Sequence, residues 1–171
     1  MRLIVLIICA ILLGGCASVI SPEVLKQVEP SLSLKTVREA PEKYTGRAIL
    51  WGGIIVSVEH LKESTIIEVF QTELTSTHSP SFSVDTSQGR FLIEASGFLD
   101  SLIYTPKRGI TVAGVIKGVR VKKIDNMSYT YPVVKPLELH LFDPPEELYP
   151  LPPAWWYYYP PYYPPSPYYY H

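Results

Sequence analysis

GRAILWGGIIVSVEH, residues 46–60, is the stretch that decides the fold. Its even positions, Ala48, Leu50, Gly52, Ile54, Val56 and Val58, are all apolar or glycine. Its odd positions mix Arg47, Trp51, Ser57 and Glu59 with two isoleucines. A period of two sustained this long predicts a long strand with one buried face, here the even one. Gly52-Gly53 in its middle predicts a bulge or sharp coil, which lets one strand serve two sides of a barrel.

Four further strands follow. Thr65 to Leu74 is β-branched and predicts a hairpin with the first strand across a turn near Lys62-Glu63. Arg90 to Gly97 alternates, with Phe91, Ile93 and Ala95 on one face and Arg90, Glu94 and Ser96 on the other. Ile110 to Gly118 places Ile110, Val112, Gly114 and Ile116 together, and the run LELHLF sets Leu137, Leu139 and Leu141 inward against Glu138 and His140. Before them, Ser33 is placed to cap a short helix over Leu34 to Ala40. Pro41 ends that helix or starts another turn, and Gly46 is a natural stop. The fold class is mainly β: a small OB-like five-stranded barrel with a short N-terminal helix, or alternatively a β-sandwich.

The N-terminus predicts where such a barrel resides. Arg2 is followed by Leu3 to Leu13 without a polar residue. As a helix, Leu3 to Gly15 rises roughly 20 Å, short of the ~30 Å hydrocarbon core of a bilayer. A basic start, a short apolar run and small residues make a secretory signal. Leu13-Gly14-Gly15-Cys16 resembles the bacterial lipobox, in which the cysteine sulfur is acylated and the leader is cut away before it. The alternatives are a plain signal peptide or a short anchor helix with a chance cysteine. In the lipoprotein reading Cys9 leaves with the leader and Cys16 is blocked, so no disulfide forms. Several acyl chains hold a protein on a membrane where one does not. Ala17-Ser18 after the cysteine resembles the outer-membrane class of Gram-negative lipoproteins. The location expected is therefore the outer membrane, lipid-anchored through Cys16 and facing the periplasm.

Composition divides the chain into a signal peptide (1–15), a lipidated tether (16–32), one barrel domain (33–142) and a low-complexity tail (143–171). Losing residues 1–15 removes one arginine and no acid, taking the formal charge from −1 to −2. So nearly neutral a chain does not advertise a nucleic-acid partner. The tail, ending YPLPPAWWYYYPPYYPPSPYYYH, is almost wholly proline, tyrosine and tryptophan. Proline blocks helix and central strand, so a disordered polyproline II chain is expected, up to about 70 Å long at ~3.1 Å per residue. Trp155, Trp156, Tyr157, Tyr158 and Tyr159 are its candidate contacts to an envelope protein, a glycan or a lipid interface; the alternative is a low-complexity extension without a fixed partner.

The runs YTGRAILWGGIIVSVE, IIEVFQTEL, GRFLIEASGFLD, GITVAGVIKG and YTYPVV occur in that order. The series resembles the Slp family of outer-membrane lipoproteins, over most of residues 16–142. The resemblance implies outer-membrane attachment and a role connected with stress or stationary phase. It implies no activity that can be carried over residue by residue, and the Pro/Tyr tail departs from it.

Chemistry-bearing patterns are sparse. His60, His78, His140 and His171 lack zinc-site spacing, there is no Gly-x-Ser-x-Gly elbow, and Gly52-Gly53 lacks the helix and lysine of a phosphate loop. Glu68, Glu94 and Asp100 fall on separate elements, Asp100 at a turn. No catalytic residue, metal or cofactor is assigned. Lys107, Arg108, Lys117, Arg120, Lys122 and Lys123 lie within seventeen residues that contain no acid. They read either as a solvated hairpin that deters edge pairing or, with Trp51 as a stacking platform, as a groove for a glycan or anionic envelope ligand. Trp51 reads more readily as a side chain packed beneath the N-terminal helix or a loop. The function expected is a non-catalytic envelope structural or interaction role, with the OB-like binding module as the alternative.

Overall fold

The 46–60 stretch forms β1 (Ala48–His60), in a computed structural model that describes residues 18–144. Its buried face is the odd one: Ile49, Trp51 and Ile55 enter the main core. The expected assignment of the even face to the core, and of Trp51 to the open side, is thus reversed. The even face is apolar for a second reason. Ala48 and Leu50 pack with Ala113 beneath Ile20 and Val28 of the segment leading to the barrel. A strand covered on both sides gives alternation no polar face to mark. A register shift between Ile55 and Ser57 then turns the strand, and Val58 points back to the core.

Gly52 and Gly53 serve the two-sided role in another way than a bulge. Residues 48–54 of β1 pair with β4 (Gly109–Ile124), and residues 52–60 pair with β2 (Ser64–Thr72). The glycines lie in the overlap, flanked on both sides. A Cβ on Gly53 would strike the Phe70 carbonyl, and one on Gly52 would strike Leu74.

The remaining strands are β3 (Arg90–Ser96) and β5 (Met127–Phe142). The order β1-β2-β3-β5-β4 closes into a barrel, and this excludes the sandwich alternative. Every pairing is antiparallel except β3 with β5, which is parallel and holds only Leu92↔Val133 and Ile93↔Val134. β4 and β5 form one long hairpin turning at Asp125-Asn126, with Asp125 at φ 52°. β4 therefore runs six residues beyond the expected end at Gly118, and β5 starts ten residues before Leu137. Leu137 does not point inward as expected but is 49 % exposed. It is the unpaired residue of a register shift, since Glu138 opposes Ala113 and Pro136 opposes Gly114. Leu139 and Leu141 do pack against the core.

Among the described residues three short helices precede the barrel: α1 (Pro22–Leu25), α2 (Leu34–Glu39) and α3 (Pro41–Tyr44). Ser33 caps α2 as expected, its hydroxyl accepting from the Thr36 amide. Leu34 and Val37 of α2 are buried in the core. Pro41 opens α3, and Gly46 follows it at φ 86°. Residues 18–32 lie against the barrel: Ile20 is wholly buried, and Ser21 donates from its amide and hydroxyl to the Glu138 carboxylate at 3.0 and 2.8 Å. No described helix is long and apolar enough to cross a membrane.

Candidate functional site

The densest polar cluster sits where the barrel closes. Ile67 and Val69 of β2 point into the core, so Glu68 between them points out. Glu68 opposes Leu92 on β3, which sets Arg90 diagonally across from it. Arg90 Nη1 lies 2.6 Å from Glu68 Oε1, and the Tyr131 hydroxyl of β5 donates to the same oxygen at 3.1 Å. The Tyr129 hydroxyl accepts from the Arg90 amide at 2.9 Å and from the Arg38 guanidinium of α2. The Tyr129 and Tyr131 rings meet edge to face at 4.8 Å. Ile66, Leu92, Tyr131 and Val133 bury one another beside the cluster.

The electrostatics suit a clamp. The bond to Glu68 raises the Arg90 pKa above the usual guanidinium value, against the opposing effect of burial. Burial first, then the Glu68 charge, raises the Tyr131 hydroxyl above the ordinary tyrosine value. A carboxylate neutralised by a guanidinium and bonded to a protonated phenol has no free base to offer. The cluster instead ties β2, β3, β5 and α2 together where strand pairing is sparsest. Sequence reading missed it because its hydrogen-bonded partners are 22 to 91 residues apart. The available signal was two opposite charges facing outward on neighbouring strands, each between apolar residues.

The basic residues are divided rather than gathered. Lys117, the unpaired residue of the second β4–β5 register shift, reaches Glu94 at 2.8 Å, and Arg120 approaches the same carboxylate at 3.8 Å. They border a shallow cavity of about 270 Å³ with Gly118, Val119 and Val133. Lys122 pairs with Glu59 at 3.3 Å, and Lys123 stands exposed. Arg108 is at the opposite end of β4, 2.9 Å from Asp143, beside an exposed Lys107 at φ 74°. At ~3.3 Å per residue, sixteen residues of strand place Lys107 and Lys123 up to about 50 Å apart.

Trp51 joins neither group. It is 5 % exposed, its Nε1 donates to the Leu32 carbonyl at 2.9 Å, and its ring meets Phe91 edge to face at 5.4 Å. It offers no stacking face, because the approach to α2 covers it. Its remaining surface borders a cavity of about 310 Å³ with Leu50, Thr72, Leu74 and His78. The Thr72 hydroxyl there is buried without a hydrogen-bond partner. The groove expected from Trp51 and the basic residues is therefore not assembled.

Among the described residues one serine–histidine pair exists, Ser18 Oγ to His78 Nδ1 at 2.9 Å. No described carboxylate bonds the other ring nitrogen of His78, so the orienting third member of a hydrolytic triad is missing. The pair, with Thr111 Oγ1 donating to the His78 carbonyl at 2.7 Å, latches the chain entry onto the loop after β2. Among the described residues no cluster of His, Cys, Asp and Glu could hold a metal ion. Cys16, Trp155, Trp156, Tyr157, Tyr158 and Tyr159 lie outside the described residues.

The profile of the Outer membrane lipoprotein Slp family matches residues 13–170. The uncharacterized lipoprotein YeaY of Escherichia coli is 31 % identical over 74 % of this chain and 64 % of its own length. The outer membrane protein Slp of the same organism is 30 % identical over 70 % of this chain and 63 % of its own. The chain thus spans just under two thirds of the curated relatives it matches. A crystal structure of Schizosaccharomyces pombe Pot1pC bound to single-stranded DNA aligns over 72 % of this chain and 87 % of that one. At 11 % identity and a TM-score of 0.30 that likeness carries no argument.

Proposed function

Since the chain belongs to the Slp family of outer membrane lipoproteins, we propose that it is a non-catalytic interaction module of the envelope, acylated on Cys16 and held on the periplasmic leaflet. The observation that carries this reading is the docking of residues 18–32. Ser18 is latched to His78 and Ile20 is wholly buried. An anchor two residues upstream then lies within about 7 Å of the barrel wall, so the domain rides against the lipid instead of on a long leash. Among the described residues the strongest polar cluster is a neutralised clamp, which supports a role without catalysis. The OB-like barrel supplies a rigid body, and the Pro/Tyr tail supplies the partner contact through Trp155, Trp156 and Tyr157 to Tyr159. A stress or stationary-phase role belongs to the same proposal.

Intact mass of the native protein tests the anchor: a chain beginning at an acylated Cys16 is expected, and a free thiol there refutes it. Deleting residues 150–171 is expected to leave the barrel folded and to weaken recovery with envelope fractions. Unchanged recovery rejects the role given to the tail. A deletion strain is expected to lose fitness in starvation and not in rich growth.

A further inference from the structure

The loop from β3 to β4 exposes apolar side chains that the barrel could have hidden. Phe98 is 74 % exposed, Leu102 85 % and Ile103 51 %. The backbone holds them out in a fixed shape. Asp100 Oδ1 accepts from the Leu102 amide at 2.8 Å, and the Asp100 carbonyl accepts from the Ile103 and Tyr104 amides at 3.0 and 2.9 Å. Phe98 stacks on His60 with ring centroids 4.7 Å apart. Lys107 follows, exposed and without an ion pair among the described residues. A rigid turn presenting large apolar groups beside a cation suits a surface that is greasy within and anionic at its headgroups.

The loop is bonded to the end of β4 that also receives the chain entry. Ser18 is latched to His78, and the His78 carbonyl is held by Thr111 near the foot of β4. Three residues earlier, Arg108 donates to the Ile103 carbonyl at 2.9 Å. Arg108 and Thr111 are three residues apart, at most about 10 Å along the strand. The chain outside the structure between Ser18 and Cys16 adds about 7 Å at most.

We propose that Phe98, Leu102 and Ile103 insert into the phospholipid leaflet that carries the anchor, with Lys107 at the headgroups, so that the barrel is oriented by two contacts. The inference rests on acylation of Cys16, and its test separates the two. The lipidated full-length protein is reconstituted in phosphatidylethanolamine and phosphatidylglycerol vesicles, and thiol-reactive nitroxide is attached to Leu102→Cys. The reference label is on Asn126→Cys, at the tip of the β4–β5 hairpin. Wild type is expected to take no label, because its sulfur is acylated. Labelling of wild type would overturn the anchor reading. With wild type silent, the label at position 102 is expected to collide several-fold less with an aqueous nickel chelate, and more with oxygen, than the label at 126. Equal nickel accessibility at both positions overturns the insertion and leaves the anchor standing. Spin–spin broadening at 102 also overturns it, in favour of a second copy as the occupant.

Discussion

Replacing Glu68 with alanine removes the one acceptor shared by Arg90 and Tyr131, and the structure sets the size of the effect. Two hydrogen bonds to a charged group are lost, each worth about 1.5–3 kcal/mol. Their consequences differ. Arg90 is 31 % exposed and recovers water, while Tyr131 is 2 % exposed and keeps a buried hydroxyl without a partner. Discounting the arginine leaves about 2–4 kcal/mol of destabilisation. At about 4 °C per kcal/mol for a domain between the 100- and 150-residue classes, that is roughly 8–16 °C in Tm. Urea unfolding read by circular dichroism measures it, with Tyr131→Phe and the double variant completing a cycle. The shared oxygen predicts strong coupling: once Glu68 is alanine, Tyr131→Phe should cost almost nothing, because the orphaned hydroxyl is gone. A single-variant cost below about 1 kcal/mol, or simple additivity, refutes the view that this cluster holds β5 to β2 and β3.

Tyr131→Phe is further expected to alter the alkaline limb of stability. The folded hydroxyl titrates above its unfolded value, so its contribution is complete below the ordinary tyrosine pKa and is lost as pH rises through the folded one. The Tm difference between wild type and Tyr131→Phe should accordingly shrink above pH ~10; a constant difference counts against it. Trp51→Ala empties a core position and removes a buried donor, and is expected to cost about 3–5 kcal/mol in denaturant midpoint measurements. Gly53→Ala drives a methyl into the Phe70 backbone and is expected to cost about 1–3 kcal/mol, whereas Lys117→Ala, on an exposed ion pair, should stay below about 1 kcal/mol.

Strand existence was legible because one-faced burial writes itself as alternation. Phe91 and Ile93 are buried as the pattern of β3 requires, and Ile110, Val112 and Ile116 as that of β4 requires. The phase of β1 was not legible, since residues 19–28 cover its outer face and make that face apolar too. The reach of β4 past Gly118 was hidden by its lysines, which are solvated on a strand as readily as in a loop. Leu137 misled because a bulge shifts the phase by one residue, and that shift is set by the partner strand. The clamp was illegible for a different reason. Glu68, Arg90 and Tyr131 meet only after closure, and no local pattern encodes a contact made by topology. The run resembling a lipobox, by contrast, is short and contiguous, so its reading depends on no fold.

The two-residue parallel junction between β3 and β5 also bears on how the barrel comes apart. Elsewhere neighbouring strands are joined by ladders of seven or more residue pairs. Transient unfastening should therefore begin there, with the amides flanking Leu92 and Val133 exchanging with solvent before those of the β1–β4 ladder. What an opened copy would bare is a pair of unpaired strand margins, the form in which one chain recruits another. On the membrane attachment proposed above, the side chains bridging that junction guard against self-association as much as against unfolding.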